Sequence, residues 1–311
     1  MSFDRKSVSF EPEKHIPDLS GRVIIVTGGN NGLGKESIRQ LAKHSPAKIY
    51  MGARSESKAQ AAISDIKREV PSADIYFLKI DLASFASIKQ AVTVFLSENE
   101  RLDILLNNAG IFATPPGLTE DGYELQFGTN HMGPALLTKL LMPLLLKTAA
   151  LPQNDVRIVN ISSTLYKTAP KAGLLLSQNK TTLSDQPIAA RYGQSKLANI
   201  YFTKMLAEHY PSITSVALHP GEVKTGIADG PSDQPILVWL FRMYSKVAFV
   251  DVETGTLNQL WASTAPRDTI KNGMMYLPLG KEHEGNKLMN DRRLAEELWK
   301  WTEDEFEKHG F

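Results

Sequence analysis

The fold is decided near the start of the chain, by the stretch RVIIVTGGNNGLG at residues 22–34. Its first half, residues 22–27, is a short apolar run that is typical of a strand buried on both faces. Its second half has glycines at positions 28, 32 and 34, where the missing Cβ lets the backbone approach an anionic ligand closely. The helix that begins there offers free N–H groups and the positive end of its dipole. The stretch therefore predicts a strand, an anion-binding turn and a helix, although a turn needed only for packing would have the same glycines.

The alternation of strand and helix continues along the whole chain. Strand-like segments lie at 48–52, 75–80, 102–106, 157–161, 214–218 and 273–277, and helix-like segments at 56–69, 85–98, 122–148, 190–209, 252–263 and 291–307. Such alternation predicts a parallel sheet, and right-handed crossovers make that sheet doubly wound. We expect an α/β fold: a single Rossmann-like domain over residues 20–311, with about seven mostly parallel strands and helices on both faces. An N-terminal arm, residues 1–19, would precede it.

Composition excludes several classes of protein. The 35 basic and 34 acidic residues leave a net charge of +1, so nothing suggests a nucleic acid as partner. The absence of cysteine excludes disulfides, thiolate nucleophiles and zinc ribbons. The N-terminus is charged, and no apolar run reaches the 18 or so residues that a transmembrane span needs. We therefore expect a soluble, cytoplasmic protein, and the sequence leaves a homodimer open.

Two long segments, 164–189 and 222–250, follow predicted strands at the sheet edge where α/β folds bind ligands. We expect them to line a site for a bulky hydrophobic or aromatic substrate, because ligand pockets are mostly apolar. Packing on the body of the protein, a dimer contact or, for 236–250, a helix on a membrane surface are the alternatives. The apolar residues concerned are Leu174, Leu175, Leu176, Ile236, Leu237, Trp239, Leu240 and Phe241.

Arg54 stands twenty residues after Gly34, where a carboxylate would hold the ribose 2′-hydroxyl of NAD. A guanidinium can instead bind a 2′-phosphate with two parallel hydrogen bonds. The position therefore favours NADP(H), whereas the alternative is an ordinary solvated surface charge. Lys35 and Lys58 are other residues that could hold this phosphate.

The pentapeptide YGQSK at 192–196 is the strongest candidate for chemistry. Tyr192 and Lys196, four residues apart, share one face of a predicted helix. An ammonium beside a phenol lowers the pKa of the phenol, which can then act as an acid or base. Because this pair of residues also occurs by chance, it needs a partner, and Ser162, Ser163 and Thr164 offer hydroxyls at the end of the fifth predicted strand.

The sequence lacks the complete motifs of serine hydrolases and of metal-dependent enzymes. The S-x-x-K pattern of penicillin-binding enzymes occurs four times, but no S-D-N completes it, and there is no G-x-S-x-G. The seven histidines include no H-E-x-x-H pair. We therefore expect neither a hydrolase of these kinds nor a metal site.

Taken in order, TGGNNGLG (27–34), NNAG (107–110), Asn130, Ser163, YGQSK (192–196) and HPG (219–221) resemble the short-chain dehydrogenase/reductase family. The resemblance runs from about residue 21 to the last predicted strand. Residues 52–54 and 121–133 are similar to the branch that holds retinol dehydrogenases and WW-domain oxidoreductases. The resemblance implies an oxidoreductase that interconverts a carbonyl and an alcohol by hydride transfer with NADP(H). A non-redox or regulatory cofactor-binding protein on the same scaffold is the alternative.

The resemblance also implies residue roles. Tyr192 would exchange the proton, Lys196 would bind the nicotinamide ribose and lower the pKa of the phenol, Ser163 would bind the substrate oxygen, and Asn130 would hold the water of a proton relay. Ser163 and Tyr192 are further apart than is usual in the family, which keeps Ser162 and Thr164 as alternatives. The implied cofactor contacts are Gly28, Asn31, Gly32, Leu33, Gly34, Arg54, Asp81, Leu82, Asn108, Ala109, Gly110, Tyr192, Lys196, Pro220, Gly221, Val223 and Thr225.

Overall fold

The central strand β1 (Val23–Thr27) is buried along its whole length, as its apolar sequence predicts. It pairs in parallel with β2 (Lys48–Ala53) on one side and with β4 (Ile104–Asn107) on the other. The computed structural model describes residues 8–152, 154–223 and 250–311. Within them, the strand order is β3-β2-β1-β4-β5-β6-β7-β8. Because the order reverses between β1 and β4, a crevice forms there at the carboxyl ends of the strands.

The remaining strands are β3 (Ile75–Lys79), β5 (Arg157–Ile161), β6 (Thr214–Leu218), β7 (Met275–Leu277) and β8 (Lys281–Glu282). All neighbouring pairs are parallel except β7 and β8, which are antiparallel. The predicted α/β Rossmann-like fold is confirmed. The eighth strand was not predicted, because two residues are too few to show an apolar pattern.

Helices cover both faces of the sheet, and each face has its own hydrophobic core. One core packs α4 (Phe85–Glu98), α6 (Gly133–Ala149), α7 (Ile188–His209) and α9 (Arg292–Lys308) against the sheet. The other packs α2 (Gly32–Ala42), α3 (Glu56–Glu69) and α8 (Val252–Thr264). Two short helical turns, α1 (Pro12–His15) and α5 (Leu125–Phe127), complete the set of described α-helices.

The described part of the predicted N-terminal arm packs on the domain. Phe10, Ile16 and Leu19 are buried in the core that contains α2, α3 and α8. The backbone N–H of Val8 donates to the carbonyl of Leu279, 2.9 Å away. The N-terminal arm therefore contributes three side chains to this hydrophobic core, while most of its other described residues are exposed.

The single helix predicted over 122–148 is interrupted in the structure. The helical turn α5 passes into a π-helical segment, Gly128–Met132, before α6 begins. A Cβ at Gly128 would lie 2.3 Å from the side chain of Thr119, and one at Gly133 would lie 2.3 Å from the carbonyl oxygen of Leu82. These close approaches depend on tertiary packing, which apolar periodicity does not reveal.

The segment 164–189 corrects one expectation. It forms two turns of 3₁₀-helix, Thr164–Thr168 and Leu176–Gln178. Leu174 and Leu176 are only 8% and 9% exposed and belong to the core beside α7 and α9, so these two side chains do not form an open substrate wall. The apolar residues predicted at 236–241 lie outside the described residues. None of the described helices is long and apolar enough to cross a membrane.

Candidate active site

The glycine turn brings β1, α2 and the end of β4 into close contact. A Cβ at Gly34 would lie 2.3 Å from the carbonyl oxygen of Gly28, and one at Gly28 would lie 3.0 Å from Cα of Ala109. Gly28 also has a φ of +65°, which favours glycine. Asn31 precedes the first residue of α2, and its exposed side chain makes no capping hydrogen bond. The turn therefore leaves the N-terminus of α2 open to an anionic ligand.

Amide side chains join the strand ends beside this turn. Asn108 donates to the carbonyl of Thr27 at 2.8 Å, and the N–H of Ala109 donates to the Thr27 hydroxyl at 3.1 Å. The two hydrogen bonds hold the end of β4 against the end of β1. Asn108 and Ala109, two of the cofactor contacts that the family resemblance implies, both lie at this crevice.

Tyr192 and Lys196 lie on α7, one turn apart and both buried. The Lys196 Nζ is 5.5 Å from the centroid of the Tyr192 ring and donates to the carbonyl of Ile161 at 3.0 Å. A Cβ at Gly110 would lie 3.4 Å from this Nζ and 3.3 Å from Oδ1 of Asn130. The glycine thus keeps open the space that Lys196 and Asn130 both face.

Asn130 lies in the π-helical segment and is tied to α7. Its Oδ1 accepts from the N–H of Ile111 at 2.8 Å, while its Nδ2 donates to the Ile111 carbonyl and to the Ser195 hydroxyl, each at 3.0 Å. The Ser195 hydroxyl in turn donates to the carbonyl of Tyr192 at 2.7 Å. Asn130 and Tyr192 are therefore connected through a single intervening side chain.

Of the three candidate hydroxyls, Ser163 is the one that contacts the phenol. Its hydroxyl hydrogen-bonds to Tyr192 and also accepts from the N–H of Leu165 at 3.2 Å. The Ser162 hydroxyl instead donates to the carbonyl of Lys196 at 2.8 Å. Thr164 begins the 3₁₀ turn that follows. The long insertion before Tyr192 therefore does not displace Ser163 from the phenol.

Burial controls the pKa values of the two central groups. It raises the pKa of Tyr192 above its ordinary value, an effect that the hydrogen bond from Ser163 partly offsets. Burial lowers the pKa of Lys196 to about 8. The sequence suggested that the ammonium would lower the pKa of the phenol, whereas in the structure the loss of hydration of the phenolate is the dominant influence on that pKa and Ser163 is the group that lowers it.

Phe112 is a site residue that the sequence patterns did not identify. Its ring packs edge-on against Tyr192, with 4.7 Å between the ring centroids. Together with Ala113 and Ile188 it forms a small apolar cluster beside the phenol. The available signal was its position two residues after NNAG, close to a strand end, whereas the longer apolar runs downstream suggested that other residues line the substrate site.

The candidate phosphate-binding cations differ in their surroundings. Arg54 follows the end of β2, is exposed and has no hydrogen-bonding or ionic partner among the described residues. Lys35, by contrast, forms an ion pair with Asp65. Lys58 is exposed in the first turns of α3. Arg54 and Lys58 could therefore bind a phosphate without losing a described partner, whereas Lys35 would first have to break its ion pair with Asp65.

The remaining predicted cofactor contacts line the same sheet edge. Asp81 follows β3 and accepts from the N–H of Ala83 at 2.9 Å, and Leu82 packs against Gly133. Beyond β6, Gly221 has a φ of +95° and Val223 is buried. Pro220 lies between this glycine and β6, and Thr225 lies outside the described residues. Among the described residues, no group of three histidine, aspartate or glutamate side chains could hold a metal ion.

Comparisons with known proteins identify the family of this chain and agree with its fold. The family model for short chain dehydrogenase matches residues 22–175. A short-chain dehydrogenase/reductase from Aspergillus calidoustus is 37% identical, covering 94% of this chain and 96% of its own. Mouse retinol dehydrogenase 12 is 32% identical over 90% of this chain and 85% of its own. In fold, the chain is similar to NADPH-bound carbonyl reductase from chicken fatty liver, with a TM-score of 0.64, 23% identity, and coverage of 88% of this chain and 97% of that one.

The lowered pKa of Lys196 predicts a pH-dependent effect on stability. The pKa falls from 10.5 to about 8 on folding, so between these values the unfolded chain holds a proton that the folded chain lacks, and the free energy of unfolding rises with pH. A Lys196→Met variant lacks the titrating ammonium and therefore this increase in stability with pH. Its stability relative to wild type should fall by about 3 kcal/mol between pH 7 and 10.5, as measured by urea unfolding. Lys147→Met, at an exposed position, is the control. A difference that stays constant with pH would contradict the lowered pKa.

Proposed function

Because the chain belongs to the short-chain dehydrogenase/reductase family, we propose that it is an NADP(H)-dependent oxidoreductase that interconverts a carbonyl and an alcohol by hydride transfer. Members of this family are oxidoreductases that bind a nicotinamide cofactor and act on small molecules. The observation that carries the proposal is the meeting of Ser163, Tyr192, Lys196 and Asn130 at one sheet edge, next to the glycine turn.

The residues at this edge fit a dinucleotide. The contacts of Gly28 and Gly34 exclude any side chain at those positions and leave the N-terminus of α2 accessible to a pyrophosphate. Gly110 leaves open the space in front of Lys196, where a ribose would bind. When bound, the cofactor supplies or accepts the hydride.

The protein groups would handle the substrate oxygen and its proton. Ser163 and Tyr192, already joined by a hydrogen bond, would both bind the carbonyl oxygen. Because burial raises the pKa of Tyr192, the phenol keeps its proton until it donates it to the oxygen of the forming alcohol. Lys196 would orient the ribose, and Asn130 would hold the water through which the proton is replaced.

Replacing Tyr192 with Phe tests this role. The change removes the proton donor, so we expect turnover to fall by about 10²- to 10⁴-fold while NADPH binding persists. NADPH oxidation with aldehydes and ketones measures the first quantity, and fluorescence titration the second. Tyr201→Phe, which removes another buried hydroxyl from α7, is the matched control and should stay within a few-fold of wild type.

Two results would count against the assignment. Near-full activity of Tyr192→Phe would remove the phenol from the chemistry. If wild type oxidises NADPH with no aldehyde or ketone of the panel, the non-redox alternative on the same scaffold becomes the better explanation.

The preference for NADP(H) rests on Arg54. It is exposed at the end of β2 with no partner among the described residues, and its guanidinium suits two hydrogen bonds to a 2′-phosphate. Lys35 is a weaker candidate because Asp65 already neutralises it. Lys58 is the remaining alternative.

Arg54→Glu should shift the preference from NADPH toward NADH. It removes a charged hydrogen bond, typically about 1.5–3 kcal/mol, so NADPH affinity should fall by about 10- to 100-fold relative to NADH. Titration of both cofactors measures the ratio. Lys58→Glu and Lys35→Glu place the same charge at the two other positions. Unchanged NADPH affinity in Arg54→Glu, with a loss in one of the lysine variants, would transfer the role to that lysine.

For the substrate, we propose a bulky hydrophobic or aromatic carbonyl compound or alcohol. Phe112, which is only partly buried, places apolar surface directly beside the phenol, and the buried Ala113 and Ile188 pack behind it. A small polar carbonyl would gain little from such a surface, whereas an alkyl or aromatic group would replace water there. The name of mouse retinol dehydrogenase 12 denotes a relative that acts on a large apolar alcohol, which is consistent with this proposal.

A series of straight-chain aldehydes tests the apolar surface. Each methylene that the site accommodates should strengthen transition-state binding by up to ~1–3 kcal/mol. We therefore expect kcat/KM to rise with the chain length of the aldehyde. Phe112→Ala should flatten this dependence on chain length. Val94→Ala, which shortens an exposed side chain on α4, should leave it unchanged. A wild-type series that is flat, or that favours the shortest aldehyde, would contradict the proposal.

A further inference from the structure

A buried ion pair includes Arg191, the residue that directly precedes the proposed proton donor in the sequence. Glu124 and Arg191 are 0% and 1% exposed, and Nη1 of Arg191 is 3.4 Å from Oε1 of Glu124. Removing two charges from water is costly, and apolar side chains of similar size often stabilise a protein as well as a buried ion pair does. Stability alone is therefore a weak explanation for this pair, whose second member directly precedes Tyr192.

Glu124 organises the segment that carries Asn130. Its second oxygen, Oε2, accepts from the N–H of Phe127 at 2.7 Å and so caps the helical turn α5. This turn continues without a break into the π-helical segment that contains Asn130. The Glu124 N–H also donates to the carbonyl of Asn179 at 2.7 Å. The Glu124 carboxylate thus fixes the start of the helical turn that leads into the π-helical segment with Asn130.

Arg191 holds the first turns of α7. The residue before this helix, Pro187, makes no side-chain capping hydrogen bond, and helix ends without a cap tend to fray. Tyr192 is the fifth residue of α7, in the turn that follows this uncapped end. Besides Glu124, Arg191 donates to the carbonyl of Thr114 at 3.3 Å. Thr114 lies two residues after Phe112, whose ring packs against the phenol.

We propose that Glu124 and Arg191 are positioning residues, whose ion pair holds the Tyr192 phenol in register with the Asn130 segment and the Phe112 loop. The proposal rests on the proposed function, in which Tyr192 exchanges the proton. The pair acts through geometry, since its opposite charges largely cancel at the distance of the phenol. A displacement of about 1 Å at a reacting group can lower a rate by about 100-fold, so even a modest movement of α7 matters.

Three variants separate positioning from stability. Arg191→Met and Glu124→Gln each remove one charge, and the double variant Glu124→Gln/Arg191→Met removes both. We expect kcat to fall by about 10- to 100-fold in all three, with KM and the NADPH dissociation constant within about threefold of wild type. The single variants should also lose stability to urea, because one buried group loses its partner, whereas the double variant should regain much of that stability.

Asp103→Asn is the matched control. Asp103 is also fully buried and pairs with Arg22 and Arg101, but it lies before β4, at the opposite edge of the sheet from Tyr192. This variant should lose stability as the single variants do, while its kcat stays within a few-fold of wild type.

A readout that needs no activity completes the test. The ¹³Cζ-tyrosine NMR signal of Tyr192, assigned with Tyr192→Phe, should shift or broaden in the double variant but not in Asp103→Asn. If wild type proves inactive, the proposed function fails, and this signal still decides whether the pair positions the phenol.

A double variant with wild-type kcat and an unchanged Tyr192 signal would overturn the proposal and leave the ion pair a structural role. If a single variant does not fold, the double variant, which leaves no unpaired charge, decides between the two outcomes.

Discussion

A buried line of amide and hydroxyl groups across β4, β5 and α7 holds the two halves of the site together. Asn107 donates to Asn160 at 2.9 Å, and Asn160 donates to Thr203 at 3.0 Å. A buried amide without a partner is costly, so these bonds favour the register in which Asn107 lies opposite Asn160. Lys196 and Asn199, on the same face of α7 as Thr203, both donate to the carbonyl of Ile161 at the end of β5. The register of β4 and β5 therefore sets the position of α7 along the strand direction. The position of α7 in turn sets that of the Lys196 ammonium.

The order of strands and helices was predictable because apolar periodicity is a local property of the chain. Strands such as β1 and β5 are buried on both faces and show as continuous apolar runs. The pairing of Tyr192 with Lys196 was also predictable, since four residues in a helix bring two side chains to one face. Their partner Ser163 was left open among three hydroxyls, because the path of a long insertion depends on contacts with distant parts of the chain.

Apart from the two-residue strand β8, the features that the sequence did not reveal depend on such distant contacts. Leu174 and Leu176 look like an open apolar wall in sequence, but neighbouring Gly173 packs so closely on Leu288 and Leu294 that the loop is held against the body of the protein. The π-helical segment depends on the fit of Gly133 against Leu82. Phe112 is a single aromatic residue with no periodic partner, and only its contact with the Tyr192 ring identifies it. The raised pKa of Tyr192 has the same origin, since burial is a property of the folded state.

The position of α9 has a consequence for the order in which the protein can be completed. Leu294, Leu298 and Phe306 of α9 belong to the same core as α7, and Trp299 stacks on Phe202 and His209 of that helix. The ribosome synthesises α9 after every other described helix and strand. Nevertheless, α9 covers the outer face of α7, the helix that carries Tyr192. A nascent chain can therefore pair its strands early, but it exposes apolar surface on α7 until α9 has left the ribosome. Between these two events, the uncovered apolar surface of α7 is accessible to chaperones and can drive aggregation.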